Sequence, residues 1–185
     1  MKKFLTKKST MIGSIVAAAV VFILLLAFCI RPVSVGYTYS YKGDLMGAKD
    51  LTIKAHVNTF DKVTLTVLDK DGEEIEDMSG EYWYFEKDGL VVTSFGLGAT
   101  TEDMKKEDWK KFKEEEVLED WDKEEIEKIA EEGSPIVFKS NAFKMDIMGE
   151  EFNCGGAIAT VVVLAVVDVL LAGAAVYSII LSKKK

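Results

Sequence analysis

The 26 residues GAIATVVVLAVVDVLLAGAAVYSIIL, Gly156 to Leu181, carry one formal charge, Asp168. As a helix rising about 1.5 Å per residue they reach about 39 Å, more than the roughly 30 Å hydrocarbon core of a bilayer. The stretch reads as a transmembrane helix. A second uncharged apolar run, Met11 to Ile30, lies near the other terminus. The chain is therefore expected to cross a bilayer twice, at 11–30 and 155–181, with one domain at 31–153 tied to the membrane at both ends. Basic tails, 1–10 and 182–185, flank the spans.

Charge divides the chain along the same boundaries. Of 31 acidic residues, 30 fall in 32–153, where 15 Lys and no Arg leave a net charge of −15. Lys2, Lys3, Lys7 and Lys8 precede the first span, and Lys183, Lys184 and Lys185 follow the second. Short basic flanks stay in the cytoplasm, so both termini are expected inside and the acidic domain outside, with the lipid bilayer as the implied surroundings. Such a domain repels nucleic acid and anionic headgroups, which excludes both as its partners. A cleaved signal peptide shares the Lys-then-apolar grammar of the N-terminus. However, the run exceeds a usual signal core, Phe28-Cys29-Ile30-Arg31-Pro32 lacks a small-x-small cleavage site, and Phe28 before Cys29 spoils a lipoprotein site. An uncleaved anchor is the expectation. The two cysteines, Cys29 and Cys154, each fall at the outer end of a span, where a disulfide would staple the helices; the alternative is two separate buried thiols.

Between the spans the pattern has period two. Tyr37, Tyr39 and Tyr41 alternate with Thr38 and Ser40; Leu51, Ile53, Ala55 and Val57 with polar residues; Val63, Leu65 and Val67 with threonines. Asp71-Gly72 leads to a short strand expected near 74–77, and Asp88-Gly89 joins strands at 81–86 and 90–95. Both faces of Tyr82-Trp83-Tyr84-Phe85 are aromatic, so that strand is either covered on both sides or part of a binding face. From Thr101 a helix is expected to about Glu116 with Met104, Trp109 and Phe112 inward, then one over 123–132, capped by Asp122 and stopped by Gly133, burying Ile126, Ile129 and Ala130, with Trp121 in the joint. Strands at 136–139 and 142–148 return the chain to the membrane at Asn153. The fold class is α+β: two transmembrane helices flanking an antiparallel β meander or small open barrel with an inserted helical pair. In architecture alone this resembles lipocalin-like sheets.

No catalytic, metal or cofactor motif is found. Asp69-Lys70-Asp71-Gly72-Glu73-Glu74 starts like a calcium loop but lacks the later acids and flanking helices, so it reads as a solvated turn. Gly96-Leu97-Gly98 lacks a third Gly and precedes Glu102-Asp103, which would repel phosphate. His56, the only His, lies on a polar face with no nucleophile beside it. Acids along 114–132 read as a solvated face rather than a carboxylate dyad. Tyr37, Tyr39, Tyr41, Tyr82, Trp83 and Tyr84 are the candidate face for a ligand or partner, against the plainer reading that they form the core. In the second span an ionised Asp168 costs about 2.5–3.5 kcal/mol, and the first span has no Lys, Arg or His to meet it. Either it is neutral and hydrogen-bonded to a neighbour, or another subunit answers it. Small residues suited to helix packing are Gly13 and Ala17, Gly173 with Tyr177, and Ala174 with Ser178.

These features point to a non-enzymatic accessory subunit of a larger membrane complex, with a protein partner in the membrane; the alternative is a tethered module holding a small apolar or saccharide ligand. In sealed vesicles that expose the acidic domain, an impermeant protease is expected to digest that domain and leave both lysine tails intact. Loss of either tail from that side overturns the topology.

Overall fold

Alternation of apolar and polar residues resolves into eight antiparallel strands: β1 (Thr38–Leu45), β2 (Ala48–Val57), β3 (Lys62–Leu68), β4 (Gly80–Lys87), β5 (Leu90–Thr93), β6 (Val137–Ser140), β7 (Lys144–Ile147) and β8 (Glu150–Asn153). Each pairs with its sequence neighbour, and β8 returns to β1 through Ser40↔Asn153, closing a barrel. The computed structural model describes residues 8–183 apart from 32, 46, 88–89 and 117–122. The expectations for Lys2, Lys3, Lys7, Lys184 and Lys185, for the Asp88-Gly89 turn, and for Trp121 and Asp122 lie outside the described residues.

The helices are α1 (Lys8–Cys29), α2 (Lys106–Lys111), α3 (Lys123–Glu131) and α4 (Gly155–Lys183). Both α1 and α4 are long and apolar enough to cross a membrane. The chain divides into two compact units, one holding α1 and most of α4, the other spanning Arg31–Ala157. Within the helical unit the less exposed positions recur at intervals of three and four. Among them are Met11, Ser14, Ala18, Val21, Leu25 and Phe28 on α1, and Val161, Leu164, Asp168, Leu171, Ala175 and Ser178 on α4, a spacing that sets them along one side of each helix.

In the barrel, register stacks the inward residues: Tyr39↔Ala55↔Leu65 and Val57↔Val63↔Tyr82. Their outward neighbours Lys54 and His56 are exposed, as expected for a sheet with one wet face. β4, β5 and β6 differ because their outward residues are apolar too. Trp83, Phe85, Leu90, Val92 and Val137 form a second core with Trp109, Ile126 and Ala130 from the helical insertion between β5 and β6. The aromatic run at 82–85 is thus covered on both faces.

Five expectations are corrected. The barrel is closed rather than open, because Glu150 to Asn153 forms a strand the sequence reading passed over. Its one apolar residue, Phe152, is 1% exposed, and its turn, Met148-Gly149, has φ of 58° and 80°, the primed hairpin geometry. The segment 74–77 is not a strand. The Asp69 carboxylate accepts the Asp71 and Glu73 N–H groups in the turn, Glu74 makes a single isolated bridge to Leu68, and the chain then coils into a 3-10 turn at Glu76–Met78. The helix expected from Thr101 starts only at Lys106, since Lys105 is extended and the Trp83 indole N–H donates to the Met104 carbonyl at the break. Past Lys111 it widens to a π turn at Phe112–Glu116. Finally, Ile129 is exposed, because the nine-residue α3 turns only the stripe holding Ile126 and Ala130 toward the barrel.

Phe152 stacks on Tyr41 with ring centroids 5.2 Å apart, at the seam that closes the barrel. Phe152→Ala is expected to cost about 3–5 kcal/mol in urea unfolding followed by near-ultraviolet circular dichroism; a loss below about 1 kcal/mol would mean that the closing strand contributes little.

Candidate functional site

The six candidate aromatics do not share one face. Tyr39, Tyr82 and Tyr84 point into the barrel, Trp83 points out under the insertion, Tyr41 rests on Phe152, and Tyr37 lies against Gly156, where an added Cβ would sit 3.1 Å from its ring. Strand alternation divides 82, 83 and 84 between two surfaces. Each ring inside has a structural task. The Tyr39 hydroxyl donates to the Asn141 carbonyl at 3.0 Å and accepts the Ser34 N–H at 2.9 Å, and burial pushes its pKa up. It thereby ties the segment entering β1 to the turn before β7. The Tyr84 hydroxyl donates to the Thr59 carbonyl at 2.8 Å, and burial raises its pKa as well.

Two of the interior cavities have volumes of about 20 Å³ each, one lined by Val33, Val57, Tyr84 and Phe138 and the other by Leu45, Met78 and Phe152. Each holds about one water, whereas small-molecule pockets run to roughly 300–1,000 Å³. A wider open cleft of about 310 Å³ runs along Ser79 to Glu81 and Thr100 to Glu102. Its Glu81 carboxylate is already engaged.

Glu81 is the hub of a cluster that the sequence reading missed. It accepts from Lys62 at 2.6 Å, Thr101 at 2.9 Å and Asn58 at 3.0 Å. Lys62 also lies 4.8 Å from the centre of the Trp83 ring, and Lys106, 5.9 Å from that ring, bonds Asp61 at 2.6 Å. Trp83 is 5% exposed beneath these ammonium groups, so it anchors the insertion instead of offering a ligand platform. Only the spacing of Lys62, Glu81 and Thr101 across a register visible after folding brings this cluster together.

The remaining motifs are structural. His56 Nδ1 lies 2.9 Å from the Thr38 hydroxyl at the surface. A Cβ at Gly96 would collide with the Pro135 and Ile136 backbone, so this glycine permits close packing. Among the described residues no group of three His, Cys, Asp or Glu side chains is placed to hold a metal ion. Cys29 and Cys154 are both free thiols; Cys154 is buried, and its pKa is pushed up by that burial.

In the helical unit Ala174 and Ser178 lie on the covered side of α4 and Ala17 is half-covered, but Gly13 and Gly173 are exposed with no atom near an added Cβ. Ser178 is 1% exposed, and its hydroxyl donates back to the Ala174 carbonyl at 2.8 Å. Asp168 is half-covered, and its Oδ1 is buried without a hydrogen-bond partner.

No protein family, curated protein or solved structure matches this chain.

Acid should loosen the insertion. The Lys62 ammonium holds the Glu81 carboxyl below its ordinary 4.5, and Lys106 holds Asp61 below its ordinary 3.8, in each case against desolvation. Groups lowered on folding stabilise above their unfolded pKa and lose that contribution as pH falls through the folded value. Glu81→Gln is therefore expected to have a lower thermal midpoint than the parent at neutral pH, with the gap narrowing at acid pH as the Glu81 carboxyl takes up its proton. An equal gap at both pH values would refute the ionic role.

Proposed function

We propose that this chain is a non-enzymatic two-pass membrane protein that serves as an accessory subunit of a larger membrane complex. Both termini lie in the cytoplasm and the acidic barrel lies outside, as the lysine tails direct. The observation that carries the reading is Asp168. A carboxyl oxygen in the middle of the apolar α4 is buried and has no donor, and leaving a buried polar atom unmatched costs about 1–3 kcal/mol. A partner helix that brings a basic or hydroxylated side chain supplies the missing bond and turns that cost into affinity. The exposed Gly13 and Gly173 faces leave the lipid side of the pair open to close approach by such a helix. The water-sized volumes of two interior cavities favour a scaffold over a carrier of small molecules.

Affinity purification of the whole chain in mild detergent tests this. Asp168→Leu is expected to lose the co-purifying partner, while Asp168→Asn, which keeps a hydrogen-bonding group, retains part of it. If both variants bring down the same partners and keep the same oligomeric state as the parent, the intramembrane contact is refuted.

A further inference from the structure

The barrel has two unlike rims. At one rim β1 begins and β8 ends, so the connections to α1 and α4 depart side by side: Val57 N–H donates to Tyr37 O, Gly36 N–H to Val57 O, and Cys154 N–H to Phe143 O. One residue, Cys154, separates β8 from α4, and the first turn of α4, to Ala157, belongs to the barrel unit, with Ala157 fully buried. The apolar helix therefore starts at the rim itself.

The β2–β3 loop sits on this rim and carries Phe60, which is 81% exposed. Among the described residues of this unit the other exposed large apolar side chains are Leu97 at 42% and Ile129 at 37%. The exposure is built into the loop. Asn58 and Thr59 N–H groups both donate to the Lys62 carbonyl, the Thr59 hydroxyl bonds Asp61 at 2.7 Å, and Tyr84 holds the Thr59 carbonyl from inside the barrel. A braced loop that points an aromatic ring outward differs from a floppy one that happens to expose it.

Charge separates the rims as well. The connection at 69–77 on the far rim holds six acids, Asp69, Asp71, Glu73, Glu74, Glu76 and Asp77, against Lys70. On the near rim, 31–37 and 140–143 hold no acid, and Asp61 is paired with Lys106 at 2.6 Å. Glu86 and, in sequence, Asp88 also belong to this rim, and the insertion brings Glu131 onto Lys139 at 3.0 Å and Glu107 and Asp108 in beside Lys106. Half-buried Val35, Tyr37 and Phe143 complete an apolar ring there.

We propose that this rim rests on the bilayer surface, with the Phe60 ring inserted at the level of the lipid headgroups. The inference rests on the two-span reading and extends it, fixing which end of the barrel meets lipid and through which side chain. Aromatic rings favour that layer, and a helix that turns apolar within one turn of the rim leaves little distance to bridge. The acid-rich rim then points away from the membrane, which suits a domain that anionic headgroups would repel.

The test uses the whole chain in phosphatidylcholine vesicles, with photoreactive p-benzoylphenylalanine in place of Phe60 or, separately, of Asp71. Both positions are exposed, so neither exchange disturbs packing. After irradiation, mass spectrometry is expected to find lipid adducts at position 60 and none at 71. An alkaline carbonate wash is run in parallel. A chain that withstands the wash but forms no lipid adduct at 60, or forms adducts equally at both positions, or cross-links to protein at 60, overturns the seated rim and leaves the two spans standing. A chain stripped from the vesicles by the wash overturns the two-span reading and this inference with it.

Discussion

The pairing of the first strand with the last is the constraint on which the rest depends. An eight-stranded meander left open would present two long edges of unpaired N–H and C=O groups, a template for pairing with other chains. Here Ser40 meets Asn153, Phe152 stacks beneath Tyr41, and the Tyr39 hydroxyl bonds both the entering segment at Ser34 and the turn at Asn141. Because the paired strands run antiparallel, the start of one and the end of the other share a rim. A single closure therefore joins the two edges and brings the residue that opens β1 and the residue that ends β8 to one rim.

The inserted helices follow from a second constraint. Strands β4 to β6 are apolar on both faces, so their outer face must be covered, and α2 and α3 supply Trp109, Ile126 and Ala130 to do it. The cover is short and strongly charged, which limits its own helical stability. Tertiary anchors compensate: Trp83 bonds the Met104 carbonyl, Glu81 bonds Thr101, and Asp61 bonds Lys106. Each reaches from the barrel to the insertion at one of its entry points, and together they hold in place helices whose sequence alone would fray.

What was legible in the chain follows the same logic. The two long apolar helices were legible because 26 residues with one charge allow few other readings, and β2 and β3 because Leu51 to Val57 and Val63 to Val67 alternate strictly. The insertion was legible in its composition but not in its register, since the break at Lys105 depends on Trp83, distant in sequence. β8 was not legible: one phenylalanine among Glu and Asn gives no period, and Met-Gly is a weak hairpin signal beside Asn-Gly or Asp-Gly. The aromatic face misled for a related reason. Consecutive aromatics in a strand look like one surface on paper, yet the pleat sends them to two. The sites that matter in the folded chain, Glu81 with Lys62 and the Phe60 loop braced by Tyr84, are joined by pairings between strands, and no local pattern announces them.

The two units also differ in how they treat buried polar atoms. In the barrel, Tyr39 and Tyr84 hydroxyls, the Thr93 hydroxyl on the Pro135 carbonyl and the Ser94 hydroxyl on the Ala99 carbonyl are all matched. Among the described side chains, the one buried polar atom without a partner is Asp168 Oδ1. Leu or Ala at 168 would leave no such orphan. Water can reach a rim or a loop and repair an unmatched group there, while hydrocarbon would offer no donor.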